Sequence, residues 1–134
     1  LIFIIDKMNI EDVRSYCLSK PLATEDMPFG DDYLVFRISG KIFAGIPLNQ
    51  PNIFVLKCSP ELFDEVTEQY PSIEQAWHWH KKHMLQIHLD GYDITDDLVK
   101  ELTDKAFALV YNKLTRKQKA ELLLANNGID LLIQ

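Results

Sequence analysis

An α+β fold is predicted for this chain, with helices laid in a second layer on an antiparallel sheet. Three features predict it. Strand-like segments come in runs and do not alternate singly with helical ones. A Ser39-Gly40-Lys41 turn joins two of them as a hairpin. Helix-start signatures stand at Asn9, at Ser59-Pro60-Glu61 and at Thr95. The expected order is α-β(3)-α-β(2)-α, followed by a C-terminal helical tail.

Each element has its own reason. Asn9 caps a helix whose third residue is Asp12, with Ile10, Val13, Cys17 and Leu18 on one face. Lys20-Pro21 ends it, because the residue before proline avoids the helical region. Residues 21–32 read as a loop with Pro, Gly and several acids. Tyr33 to Ile38 and Ile42 to Ile46 form the hairpin, and Ile53 to Cys58 is a third strand. Ser59 caps the next helix with proline at its first position and Glu61 at the positive end of the helix dipole. Ile73 to Trp79 and Leu85 to Leu89 are the last two strands, and Asp90-Gly91 is a turn. Leu98, Leu102, Ala106, Leu109 and Val110 mark the inner side of a long helix. Thr115 to Gln118 fits a capping box for a last helix over 116–126, with Asn127-Gly128 as its stop.

Met8-Asn9-Ile10-Glu11 reads like a natural start, so residues 1–7 are expected to be an N-terminal extension, 8–114 the domain and 115–134 a helical extension. At 134 residues the domain can bury a core without staples. An apolar fraction of 47% and a charged fraction of 25% are those of a globular protein. No apolar run approaches the ~20 residues of a membrane span. Leu1-Ile2-Phe3-Ile4-Ile5 is too short for a secretory h-region, and a cytoplasmic location is expected. Cys17 and Cys58 read as buried, reduced thiols.

The net charge of −6 argues against nucleic-acid binding over the whole surface. The charge is nonetheless clustered, with base at Lys81-Lys82 and at Lys113, Arg116, Lys117 and Lys119.

Several short motifs occur in a set order. They are Tyr16-Cys17-Leu18, Pro28-Phe29-Gly30, Val35-Phe36-Arg37 and Gly40-Lys41-Ile42-Phe43-Ala44. Leu56-Lys57-Cys58, Pro60-Glu61, Tyr70-Pro71 and His78-x-x-Lys81-Lys82-His83 before Asp90-Gly91 follow. In this pattern the chain resembles the MmcQ/YjbR family over about residues 8–114. Met84 stands where that family usually has Trp, and Ala106-Phe107 where it usually has Ser-Tyr. The resemblance implies a two-layer fold of the CyaY-like and secretion-chaperone-like kind, and DNA binding has been proposed for the family.

The residues around Trp77–His83 carry the functional expectation. Trp77 and Trp79 offer π-faces for stacking, and His78, His80, Lys81, Lys82 and His83 offer charge for phosphate. Arg37 and Lys41 flank the hairpin turn and extend that surface. His78, His80 and His83 have a spacing that could ligate zinc, but Lys81 and Lys82 would repel a cation, so polar histidines and no metal or cofactor are expected. No phosphate loop, nucleophile elbow or zinc-protease motif is present. The expectation is a non-enzymatic DNA-binding module acting through Arg37, Lys41, His78, Trp79, Lys81, Lys82 and His83. The alternative is a protein-interaction or chaperone-like adaptor, with a homodimer or partner held by the open sheet face or the apolar tail, which carries Leu122, Leu123, Leu124, Ile129, Leu131, Leu132 and Ile133.

Overall fold

The computed structural model describes residues 7–76, 79 and 83–133. Its elements are α1 (Ile10–Leu18), β1 (Thr24–Asp26), β2 (Tyr33–Ile38), β3 (Lys41–Pro47), β4 (Ile53–Lys57), α2 (Pro60–Gln69), β5 (Ile73–Gln75), β6 (Met84–His88), α3 (Asp96–Asn112) and α4 (Arg116–Ile133). The strands form one sheet in the order β1-β2-β3-β4-β6-β5. Every neighbouring pair is antiparallel. The α+β class and the two layers stand as predicted.

The helix starts follow the capping chemistry. Asn9 and Asp12 exchange side-chain and backbone hydrogen bonds in a full capping box. Ser59 Oγ accepts from Leu62 N at 3.2 Å, and Thr95 Oγ1 accepts from Leu98 N at 3.1 Å. Thr115 and Gln118 form the expected reciprocal pair before α4. Each cap satisfies amides that a helix start leaves unpaired.

Three expectations need correction. The loop over 21–32 contains β1, a short edge strand whose Thr24 pairs with Arg37 and whose Asp26 pairs with Val35. The strand expected over Ile73 to Trp79 stops at Gln75. Ala76 N still donates to Met84 O at 3.0 Å, but Trp79 N donates to Ala76 O at 3.1 Å and not across the sheet. The last helix runs on to Ile133, so Asn127-Gly128 does not end it. Residues 1–6 of the expected extension lie outside the described residues.

The helices cover one face of the sheet. Phe36, Ile38, Phe43, Ala44, Ile46, Phe54, Leu56, Leu85 and Ile87 point into this layer, and α3 buries Leu98, Val99, Leu102, Ala106 and Val110 across β2, β3 and β4. Phe107, one of the residues differing from the family pattern, packs on Phe43 with ring centroids 5.4 Å apart. The second face is not bare. Ile53, Val55, Ala76 and Met84 form a smaller cluster there, capped by Tyr33 and Trp79.

Two details of the β2–β3 hairpin orient the site. Ser39 and Gly40 both have positive φ, 49° and 78°, which suits the two-residue turn between Ile38 and Lys41. A bulge then shifts the register, so that Phe36 pairs with Ala44 but Arg37 with Ile42. Phe43 is the extra residue. Phe43 and Ala44 therefore both serve the helix-side core, while Arg37 and Ile42 share the opposite face.

Gly45 has no room for a side chain. A Cβ there would lie 2.6 Å from Tyr33 Cε1. Gly45→Ala is expected to destabilise the fold by ~1–3 kcal/mol, the usual cost of overpacking, as measured by urea unfolding. The cost should shrink when Tyr33 is also replaced by alanine, since that removes the clashing ring.

Candidate nucleic-acid interface

Tyr33 lies over Gly45 on the second face of the sheet, and Trp79 rests on Tyr33. The Trp79 indole N–H donates to the Tyr33 hydroxyl at 2.9 Å, and the two rings meet at 74° with centroids 5.6 Å apart. Burial pushes the Tyr33 hydroxyl pKa up, and the hydrogen bond from Trp79 partly opposes that shift. Phe29 approaches the other side of the indole at 79°, with centroids 6.1 Å apart. Trp79 thus covers Met84, the second residue that differs from the family pattern, and leaves it only 6% exposed.

Trp79 contributes to the lining of two cavities. The first, of about 440 Å³, is lined by Arg37, Lys57, His83 and Lys113, with Ile42, Met84 and Trp79 as its apolar wall. Register explains the grouping. Arg37 pairs with Ile42, and Lys57 with Met84, so all four side chains rise on one face. Lys113 arrives from the C-terminal cap of α3. The second cavity, of about 350 Å³, is lined by Phe29, Tyr33, Trp79 and Pro47 together with the polar Asp32, Asn49 and Gln50.

Arg37 Nε donates to Asp26 Oδ1 at 2.8 Å, and its Nη1 donates to Gly40 O at 3.0 Å. Both ends of the ion pair are partly exposed, so it contributes at most about 1 kcal/mol and can be exchanged for another anion.

Of the seven residues expected to form the interface, the structure gathers three: Arg37, Trp79 and His83. Lys41 pairs with Ile38, which faces the helix layer, so it points away from Arg37. His78, Lys81 and Lys82 lie outside the described residues, as do Trp77 and His80. Lys57 and Lys113 join the site although the sequence reading did not place them there. Strand alternation carried the signal for Lys57, which lies an even number of positions from Ile53 and Val55. The sequence marks Lys113 only as part of a separate basic cluster with Arg116, Lys117 and Lys119, and its place here depends on how α3 crosses the sheet.

Among the described residues no group of three or more His, Cys, Asp or Glu side chains converges as a metal site. Cys17 and Cys58 are unpaired and buried. Burial pushes their thiols up to about 12 and about 11, too high for a thiolate at neutral pH. Neither thiol should react with iodoacetamide in the native protein at pH ~8, and both should react in denaturant. Fast labelling of native Cys58 would instead show an activated thiol.

The chain matches the family model described as YjbR over residues 18–109. It is 29% identical over 122 residues to the uncharacterized protein YbdF of Escherichia coli O157:H7, covering 86% of this chain and 95% of that one. It is 27% identical over 114 residues to the uncharacterized protein YjbR of Escherichia coli K12, covering 84% and 95%. The crystal structure of a Deinococcus radiodurans protein with a DUF419 domain superposes with a TM-score of 0.76 at 33% identity, over 85% of this chain and 87% of that one. A Pseudomonas syringae protein superposes with a TM-score of 0.62 at 26% identity, over 76% and 98%.

Proposed function

The chain belongs to the YjbR family, and from that premise we propose that it is a cytoplasmic, non-enzymatic DNA-binding module. One observation carries the reading. In a chain of net charge −6, Arg37, Lys57, His83 and Lys113 line a single cavity beside an indole. A cavity of this volume is on the order of one Debye length across (~10 Å at 0.1 M salt), so its charges act on a bound group together. Phosphate is the anion that a DNA strand presents to such a cluster, and the apolar wall of Trp79 and Met84 suits the sugar or base beside it. The two buried thiols suit a reducing compartment and offer no nucleophile. No helix among the described residues is long and apolar enough to cross a membrane.

The logarithm of the association constant for labelled DNA should fall linearly with the logarithm of salt concentration. The slope should be near −0.7 per phosphate contact for single strands and about −0.9 for duplex. Lys113→Ala should weaken binding and flatten the slope by roughly one contact. The reading fails if neither DNA form binds at ~50 mM salt. It also fails at this cavity if Lys113→Ala combined with Arg37→Ala leaves binding unchanged.

A second reading, self-association through α4, rests on Leu123 and Leu124. Leu122 packs against the core, while Leu123 and Leu124 are 59% and 73% exposed. The side chains of Ile129, Leu131, Leu132 and Ile133 lie outside the described residues. Light scattering should then give a dimer mass that returns to a monomer in Leu123→Ser with Leu124→Ser. A monomer before substitution rules out a tail-mediated dimer.

A further inference from the structure

We infer that the aromatic cavity takes one unpaired nucleobase of a DNA strand whose phosphate occupies the basic cavity. The inference rests on the DNA-binding reading and makes it specific: the ligand is single-stranded. Trp79 is the connecting observation, because it is a lining residue of both cavities. A base and the phosphate attached to it are joined through one sugar, so a recognition unit for them needs two unlike pockets side by side. Here one side is cationic. The other is largely aromatic, with Asp32, Asn49 and Gln50 among its lining residues.

The chemistry of the second cavity selects the base end of a nucleotide over the phosphate end. Asp32 lines it and would repel a phosphate. A carboxylate accepts hydrogen bonds only, whereas the Asn49 and Gln50 amides both donate and accept. Together they can read an unpaired base along its Watson–Crick edge, which is how single strands are distinguished. Asp32 favours bases that carry an exocyclic amine there, adenine, cytosine or guanine, over thymine. The volume of about 350 Å³ lies within the ~300–1,000 Å³ of small-molecule pockets. A stacking surface is also exposed. Phe29 follows Pro28 and precedes Gly30, whose φ of 90° turns the loop, and its side chain is left 61% exposed. An aromatic residue held at a pocket rim in this way can stack on a base without first breaking core contacts.

The test is fluorescence anisotropy with labelled oligonucleotides of equal length: oligo(dC), oligo(dT) and an abasic sugar-phosphate chain. Oligo(dC) should bind about tenfold or more tighter than the abasic chain, with oligo(dT) between them. Phe29→Ala should remove most of that advantage and weaken abasic binding far less than it weakens oligo(dC) binding. The exposure of Phe29 makes loss of folding in this variant avoidable, and its circular dichroism should match the parent. Asp32→Asn should narrow the gap between oligo(dC) and oligo(dT). Lys113→Ala should weaken all three ligands alike. Equal binding of oligo(dC) and the abasic chain, with the Lys113 effect intact, overturns the base pocket and leaves phosphate binding standing. Binding to none of the three overturns the inference, and the DNA-binding reading falls with it only if duplex DNA also fails to bind at ~50 mM salt. Displacement of oligo(dC) by tetramethylammonium and not by dCMP would mark the cavity as an organic-cation cage and overturn the inference.

Discussion

The hydrogen bond from the Trp79 indole to the Tyr33 hydroxyl is the constraint on which the second face of the sheet depends. It contributes only about 0.5–1.5 kcal/mol net. Two edge-to-face aromatic contacts on the same indole add about as much each. Together they hold the indole against Tyr33 and Phe29. Once fixed, the indole does three things. It shields Ile53, Val55 and Met84 from water, and it forms a wall of the cationic cavity and a wall of the aromatic one. Gly45 allows this arrangement, because a side chain at that position would drive the Tyr33 ring off the sheet.

The sheet is therefore apolar on both faces, but unequally so. The helix side holds the large core, and the other side holds a small cluster with charge beyond it. Direction along each strand decides which residues meet there. The bulge in the β2–β3 hairpin is central, because it sends Phe43 and Ala44 to the core together and leaves Arg37 opposite Ile42. Lys41, four residues from Arg37 in sequence, ends on the other face because it sits opposite Ile38, on the turn side of the bulge. Closeness in sequence is a poor guide to a shared surface on a strand, where neighbours alternate.

Capping chemistry made most of the helices legible in the sequence: Asn9, Ser59, Thr95 and Thr115 all cap as their residue types predict. The central strands were equally legible, because Val35-Phe36 and Ile53-Phe54-Val55-Leu56 are apolar runs between turn residues. β1 was not. Thr24-Glu25-Asp26 is polar, and only its pairing with β2 makes it a strand. Asn127-Gly128 was misread because a local stop signal can be carried through by the helix on both sides of it. At the site, the sequence showed a dense aromatic and basic segment but not what joins Trp79 and His83. Lys57 and Lys113 come from β4 and the end of α3, and Phe29, Asp32 and Tyr33 from the loop before β2 and its first residue. Only the fold brings these together.

The contrast between the acidic chain and its cationic cavity also limits what kind of binding is reasonable. A uniformly basic surface gains affinity for any phosphate chain through counterion release. Here the surrounding acid reduces that long-range attraction. Arg37 is itself partnered by Asp26, so an incoming phosphate must compete with a carboxylate already in place. The ion pair is weak enough to be displaced, but displacement occurs only when a ligand enters the cavity. In the proposed role, affinity therefore has to come from short-range contacts inside the two cavities rather than from the field around them. A ligand that fills only one cavity forgoes the contacts of the other, and Trp79, standing in both, is the residue through which occupancy of one would be felt in the other.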